Sequence, residues 1–243
     1  MSHLPVAAQR GVLRIVRLSA CGLALSALAA CGASRLDEVP VAWTSFRDPR
    51  PVVLPSDPAQ CPDLAGVYQA AGEYRAGDRQ SKSLADLYLF LAHPLDLHGL
   101  RGGGTPEWSP APQATVAFAP GTRGWDVQAQ DGQGGRFSGQ LPVLDGARDS
   151  VASPALFNPR MPGGIVRYTG CAQGRLWISV RADWAQYESM GVQRHVALLR
   201  RDAGGLLVTM QRESDSIGML PWYSNDGAVS QYWFAPAPGA GAP

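Results

Sequence analysis

Alternating apolar and polar residues mark the carboxy-terminal half of the chain. Between residues 175 and 181, Leu176, Ile178 and Val180 occupy every second position, a period that is typical of a strand with one buried face. The turn sequence Asp202-Ala203-Gly204-Gly205 separates two similar segments and predicts a hairpin. Comparable patterns predict strands over residues 115–118, 124–130, 136–141, 175–181, 192–200, 206–212 and 230–234.

A helical period occurs between residues 84 and 91, where leucine and tyrosine recur three or four positions apart. Ser83 is the predicted N-cap, and Asp86 stands at the capping-box position. Pro94 is expected to end the segment, because the residue before a proline avoids the helical conformation. The sequence therefore predicts one short helix.

These elements predict a mainly β fold with one short helix (α+β), arranged as an antiparallel sheet, a sandwich or an incomplete barrel. We expect a single domain over residues 61–234. Prolines recur through residues 31–60 and predict a tether, although Trp43 and Phe46 leave open that part of it docks on the domain. Residues 235–243 contain only alanine, proline and glycine and are expected to be disordered.

The amino terminus has a different pattern. Arg10, Arg14 and Arg17 precede an uncharged, apolar stretch over residues 18–30, and the first carboxylate of the chain is Asp37. A basic start, a short apolar run and small residues at its end are typical of a secretory signal peptide. The run is shorter than the roughly 20 apolar residues that span a bilayer.

The end of this run, Leu28-Ala29-Ala30-Cys31, resembles the lipobox of bacterial lipoproteins. The resemblance implies that residues 1–30 are removed and that Cys31 carries acyl chains such as palmitate. Because Gly32 stands where an Asp would favour the inner membrane, it also implies the periplasmic face of the outer membrane. Two alternatives are acylation of Cys21 in Leu18-Ser19-Ala20-Cys21, and an ordinary signal peptide that leaves Cys31 free.

Two cysteines, Cys61 and Cys171, remain for the mature domain. The periplasm is oxidising, so we expect them to form a disulfide; the alternative is two buried free thiols. The opening Cys-Pro-x-Leu-x-Gly-x-Tyr, which runs from Cys61 to Tyr68, is similar to that of uncharacterised proteobacterial lipoproteins. That similarity implies no particular activity.

The net charge of the chain without residues 1–30 argues against two classes of partner. Removing residues 1–30 takes three arginines from the 21 basic residues and none of the 20 acidic ones, which leaves a formal charge of about −2. This balance argues against nucleic acid, which calls for a clustered basic patch. It also argues against attachment to membranes through a polybasic surface.

Tryptophan is the most conspicuous candidate for ligand binding. Trp177 alternates away from Leu176 and Ile178 in its predicted strand. A groove for a lipid, a glycan or a peptide could be lined by Trp177, Trp184, Trp222 and Trp233. The alternative is that these side chains fill the core, as aromatic residues of sheets commonly do.

Other polar residues give weaker signals. His93, Asp96 and His98 are metal-ligand types, but a zinc site needs three or four convergent ligands, so we interpret them as loop residues and expect no metal or cofactor. His195 is interpreted as a cross-strand partner rather than a catalytic residue. Carboxylates near the last strands could form an acid–base pair, but we expect a solvated loop for Glu213-Ser214-Asp215-Ser216 and for Asp226.

The sequence lacks the Gly-x-Ser-x-Gly, His-Glu-x-x-His, Cys-x-x-Cys and P-loop patterns. Together with the lipid address, this predicts a lipid-anchored envelope protein that is a non-enzymatic binding or structural module with a protein, lipid or glycan partner. One alternative is a carrier that holds a small apolar ligand, such as a lipid, inside a half-closed barrel. A second alternative is a hydrolase acting on envelope substrates.

Overall fold

Antiparallel strands make up most of the residues that the structure describes. The structure is a computed structural model, and it describes residues 33–79, 85–95, 97, 100, 107–143, 146–153, 165–186, 189–218 and 223–239. The chain divides into two units, Met1–Ser34 and Arg35–Pro243, and the fold reported below is that of the second.

The strands fall into two main sheets and a hairpin. Their bounds are β1 (Ala33–Leu36), β2 (Val39–Ala42), β3 (Gly66–Gln69), β4 (Glu73–Gly77), β5 (Thr115–Gly121), β6 (Gly124–Gln130), β7 (Arg136–Pro142), β8 (Gly146–Ser153), β9 (Ile165–Ala172), β10 (Arg175–Gln186), β11 (Ser189–Asp202), β12 (Gly205–Ile217) and β13 (Tyr223–Phe234). The larger sheet has the order β4-β13-β12-β11-β10-β9-β8, the smaller has the order β3-β5-β6-β7, and β1 pairs with β2. Neither main sheet closes on itself, which confirms the predicted mainly β fold class with open antiparallel sheets.

The predicted strands are present, but those of the larger sheet are longer than expected. Strands β10 to β13 extend well beyond the segments where alternation is visible. The predicted hairpin joins β11 to β12 through Ala203 and Gly204, both with positive φ, as a two-residue turn of this kind requires. Several strands were not predicted, namely β1, β2, β3, β4, β8 and β9.

A short 3-10 helix spans Pro58–Gln60, and the single α-helix among the described residues is α1 (Leu87–Ala92). Asp86, and not the predicted Ser83, is its N-cap, because the Asp86 carboxylate accepts hydrogen bonds from the backbone N–H of Leu89 and from the indole N–H of Trp108, both at 3.0 Å. Ser83 lies outside the described residues. The helix ends at His93, directly before Pro94 as predicted.

The main core lies between the two sheets. Helix α1 and the smaller sheet pack on one face of the larger sheet, which we call the inner face. The largest side chains of this core come from all three parts and include Tyr68, Phe90, Leu91, Phe118, Phe137, Leu176, Ile178, Leu199 and Phe234. All of them are buried.

The opposite, outer face of the larger sheet is also covered. Residues 35–57, here called the strap, lie over it and form a second core in which Leu36, Val39, Val41, Val52 and Leu54 are buried against Tyr168, Trp177, Val196 and Leu198. The segment expected to be a tether is therefore part of the folded domain from Arg35 onward. Its prolines rule out a helix. Two pairs of residues spaced two positions apart, Val39 with Val41 and Val52 with Leu54, bury their side chains against the sheet.

The tail also differs from expectation. The backbone N–H of Gln69 donates to Ala235 O, and that of Ala237 donates to Val67 O, each at 2.8 Å. The first residues expected to be disordered thus cover the free edge of β3. Residues 240–243 lie outside the described residues.

Cys61 and Cys171 form a disulfide, as predicted, with their Cα atoms 4.8 Å apart. Cys171 belongs to β9 and is fully buried in the main core. Beside it, the backbone N–H of Asp57, the last residue of the strap, donates to Cys171 O at 2.7 Å. The disulfide therefore ties the end of the strap to the larger sheet.

Reduction of this disulfide should lower the free energy of unfolding. The bond closes a loop over a separation of 110 residues, for which the chain-entropy estimate is at most about 4–5 kcal/mol. Urea denaturation with and without reductant measures the loss. Unfolded protein that has never met reductant should offer no alkylatable thiol at Cys61 or Cys171, and alkylation of both would show that the bond does not form.

Candidate functional site

Three exposed apolar side chains line up at one end of the larger sheet. Met190 of β11 is paired directly with Ile217 of β12, and Ile217 with Tyr223 of β13. All three therefore project from the same, outer face. Their exposed fractions are 56% for Met190, 36% for Ile217 and 60% for Tyr223. We call these three residues the apolar row.

A buried ion pair lies directly behind the apolar row. Arg194 and Asp215, on neighbouring strands, are paired, and both side chains are almost completely buried. The Asp215 carboxylate also accepts hydrogen bonds from the Tyr223 hydroxyl and, at 2.6 Å, from the amide of Asn225. The ion pair thus holds one end of the Tyr223 side chain while most of the ring stays exposed.

Two arginines connect this region to the strap. Arg194 donates to Thr44 O, and Arg181, its cross-strand partner, donates to the carbonyl oxygens of Phe46 and Asp48. Arg181 is also paired with Asp183, its Nε lying 2.9 Å from Oδ1. Each guanidinium therefore binds backbone carbonyls of the strap in addition to a carboxylate.

Burial sets the electrostatics of this cluster. Desolvation lowers the pKa of Arg194, and Arg181 lowers it further, whereas the nearby Glu213 carboxylate acts in the opposite direction. Burial raises the pKa of Glu213, and the charge of Arg194 opposes that shift. The cluster is a network of opposite charges taken out of water, and such a network depends on every member keeping its partners.

The described tryptophans do not form a common groove. Trp177 lies under the strap on the outer face, and its indole N–H donates to Pro55 O at 2.9 Å. Trp233 is on the outer face near the opposite end from the apolar row and donates to Asp202 O at 2.9 Å. Trp184 follows Trp177 by seven residues on the same strand. Because this spacing is odd, Trp184 lies on the inner face. Trp222 lies outside the described residues.

Glycines explain why these indoles lie flat on the sheet. A Cβ atom added to Gly170 would come within 2.5 Å of the Trp177 ring, one added to Gly191 within 2.4 Å of the Trp184 ring, and one added to Gly205 within 2.6 Å of the Trp233 ring. Each ring thus covers a glycine of the neighbouring strand. The predicted groove would need the rings to converge, and their pairing with separate glycines keeps them apart.

His195 is buried on the inner-face side of β11, between its register partners Val180 and Arg212. Burial and the charge of Arg212 lower its pKa to about 4. Its Nδ1 has no hydrogen-bond partner within the described part of the chain. The cross-strand position is as predicted, and its surroundings keep the imidazole neutral.

The carboxylates expected in a solvated loop lie on strands instead. Glu213 and Asp215 are on the outer face of β12, and Asp226 is on β13 opposite Ser214. Only Asp226 is well exposed, and it pairs with Arg212 at 3.3 Å. The loop interpretation is wrong because β12 continues to Ile217, with the charge of Asp215 met by Arg194.

Metal-ligand residues do not cluster in the described part of the chain. His93 is the C-cap of α1, while Asp96 and His98 lie outside the described residues. Among the residues that can be described, no group of three or more His, Cys, Asp or Glu side chains could hold a metal ion.

The outward face of the smaller sheet forms a shallow depression with a volume of about 480 Å³. Its lining is mostly polar or small and includes Thr115, Ala117, Gln128, Gln130 and Ser138. Such a surface is usual for an antiparallel sheet with one face in solvent. The exposed apolar side chains of the larger sheet are less usual, because contiguous apolar surface generally marks a contact site.

Comparison with known proteins returned no significant match to a family model, a curated protein or a solved structure. None of the helices in the described residues is long and apolar enough to span a membrane. The candidate site therefore rests on the geometry of this chain alone.

Removing the negative charge of the buried pair should be costly. In Asp215→Asn, the buried Arg194 keeps its charge but loses the carboxylate that contacts it, so we expect a loss of about 3–5 kcal/mol in the free energy of unfolding. The matched change Asp226→Asn breaks an exposed pair and should cost less than about 1 kcal/mol. Urea denaturation measures both, and equal losses would contradict a buried network.

His195 should make stability depend on pH. Its folded-state pKa of about 4 lies below the ordinary value of 6.5, so the unfolded chain binds a proton more readily. The stability is therefore intact above about pH 6.5, falls as the pH drops toward 4, and loses up to about 3 kcal/mol. Relative to wild type, His195→Gln should remove this loss in denaturation curves between pH 4 and 7. The other titrating groups are common to both proteins, and parallel curves would show that the imidazole is not buried as a neutral group.

Proposed function

We propose that the chain is a lipid-anchored envelope protein that acts by non-enzymatic binding and contacts its partner through the apolar row. The lipid is carried by Cys31, and the domain lies on the periplasmic side of the outer membrane. The observation that carries the binding role is the alignment of Met190, Ile217 and Tyr223 on one face.

The apolar row supports a contact role because its exposure is not relieved by the fold. Large apolar side chains on three adjacent strands leave a continuous patch in water, which is unfavourable unless a partner covers it. The row is also held in place from behind, since Tyr223 is bonded to the buried Asp215. A surface that is already ordered loses less conformational entropy when it binds.

The alternatives find less support in the geometry. A carrier of apolar ligands needs an internal cavity, but the space between the sheets is filled by side chains such as Tyr68, Phe90 and Phe118. A hydrolase built on His195 needs a carboxylate and a hydroxyl beside the imidazole, but its register partners are Val180 and Arg212. A binding surface on the outside of the domain fits these observations better.

Metabolic labelling with a clickable palmitate analogue tests the anchor. Wild-type protein should carry the label, and Cys31→Ser should lose it, because no other thiol follows the apolar leader closely enough to be acylated. Cys21→Ser is the matched control and should be labelled like wild type. The labelled mature protein should also partition into the detergent phase of Triton X-114.

Absence of label from wild type, or label that survives in Cys31→Ser, would contradict the proposal. Loss of label in Cys21→Ser alone would move the anchor to the earlier cysteine. Separation of inner and outer membranes on a sucrose gradient then tests the compartment, with the labelled protein expected in the outer-membrane fractions.

A further inference from the structure

The apolar row lies at one end of three neighbouring strands of the larger sheet. Met190 is the second residue of β11, Ile217 is the last of β12 and Tyr223 is the first of β13. The side chains of the next outer-face positions inward, Val192 and Asp215, are buried. The other exposed apolar side chains on this face, Val53 of the strap and Val229 of β13, lie apart from the row.

The hydrogen bonds of the strap show in which direction β1 and β2 run relative to the apolar row. Asp37 accepts hydrogen bonds from Arg175 and Arg200, far from the apolar row, whereas Thr44 accepts one from Arg194, close behind it. Strand β2 therefore runs toward the apolar row. Strand β1 is joined to β2 by the two-residue turn Asp37-Glu38 and is antiparallel to it, so the chain traced backward from Leu36 runs toward the same end.

The length of chain before the domain is short. Cys31 precedes Arg35 by four residues, which span at most about 14 Å when fully extended. An acylated Cys31 would thus insert its lipid within that distance of Arg35, and the chain followed backward from Leu36 of β1 runs toward the end that carries the apolar row. A bilayer is then the apolar phase nearest to Met190, Ile217 and Tyr223.

We infer that the apolar row docks on the phospholipid surface into which Cys31 is anchored. The inference rests on the lipid anchor of the proposed function and names the partner of the same surface. Met190 and Ile217 enter the boundary between headgroups and acyl chains, and the Tyr223 ring lies at headgroup level. Tyrosine rings are enriched at that depth of a membrane, and here the hydroxyl stays bonded to Asp215.

The attraction is apolar rather than electrostatic. The charges directly behind the row, Arg194 and Asp215, are buried and paired with each other. None of the three side chains of the row is charged, so their own contact gains little from anionic lipids and is not screened by salt. Docking should therefore be insensitive to potassium chloride and to the fraction of phosphatidylglycerol.

Site-specific fluorescence on the lipidated, full mature protein tests this inference. Met190→Cys and Ile217→Cys each offer one free thiol, which is labelled with the polarity-sensitive dye NBD, since Cys31 is acylated and Cys61 is bonded to Cys171. Val53→Cys is the matched control, because Val53 is an aliphatic residue of the strap with an exposed fraction of 49%. Two residues further on, Pro55 O accepts a hydrogen bond from the indole of Trp177. Trp177 lies about 25 Å along the sheet from the apolar row.

The labelled proteins are reconstituted in vesicles of phosphatidylethanolamine and phosphatidylglycerol, with and without 5-doxyl phosphatidylcholine. We expect the dyes at positions 190 and 217 to shift to the blue, to brighten several-fold and to be quenched by the doxyl lipid at low and high salt. The dye at position 53 should stay in water. Near-UV circular dichroism checks that each variant is folded.

Other outcomes overturn the inference in recognisable ways. Protein that floats with the vesicles while the dyes at 190 and 217 remain unquenched keeps the anchor but rules out docking. Shielding of those dyes from aqueous iodide without quenching by the doxyl lipid would mean that a protein, or a second copy of the chain, covers the row. Equal quenching at position 53 would mean that the whole outer face lies on the membrane. Protein that does not float at all rules out the anchor, and the inference with it.

Discussion

The strap and the apolar row both depend on the ion pair between Arg194 and Asp215. Arg194 donates to Thr44 O of the strap, and Asp215 accepts the hydroxyl of Tyr223 in the apolar row. Two charged side chains on adjacent strands thus link the covering of the outer face to the display of exposed apolar groups. A buried pair is weak evidence of net stabilisation, but the loss of one partner is expensive, so the two features are energetically coupled.

Burial on both faces is the second constraint on the larger sheet. An antiparallel sheet commonly leaves one face in water and then shows a clean alternation of apolar and polar residues. Here the inner face packs on the smaller sheet and the outer face on the strap, so Val196–Leu199 is an apolar run without alternation. The polar residues that interrupt the outer face, such as Arg181 and Arg194, satisfy the backbone carbonyls of the strap instead of meeting solvent.

These constraints explain what could be predicted from the sequence. The bounds of strands with one polar face, such as β6 and β7, are predicted to within a residue, because alternation reports burial on one face only. Strand β9 was missed because its residues, Ile165–Ala172, are buried on both faces and show no period. The strap is not predicted as part of the domain because its prolines argue against regular structure. Its valines at positions 39 and 41 carried the opposite signal, but on too short a segment to decide.

The candidate surface was out of reach for a related reason. Met190, Ile217 and Tyr223 are far apart in sequence and become neighbours only through the register of three long strands. The predicted strands do not reach any of the three residues, so the sequence does not indicate that they are neighbours. The tryptophans are candidates for ligand binding by residue type alone. In the structure, Trp177, Trp184 and Trp233 each pack on a glycine of the neighbouring strand.

Packing of the strap also changes what a lipid on Cys31 would do. A free tether of thirty residues would let the domain move as far as about 100 Å from its anchor. With the fold beginning at Arg35, the reach would be about 14 Å, and a lipid on Cys31 would confine the domain to the membrane surface. Confinement would raise the effective concentration of the apolar row at that surface and so favour even a weak contact. A short linker and a modest apolar patch are thus complementary, because each would be of little use for membrane contact without the other.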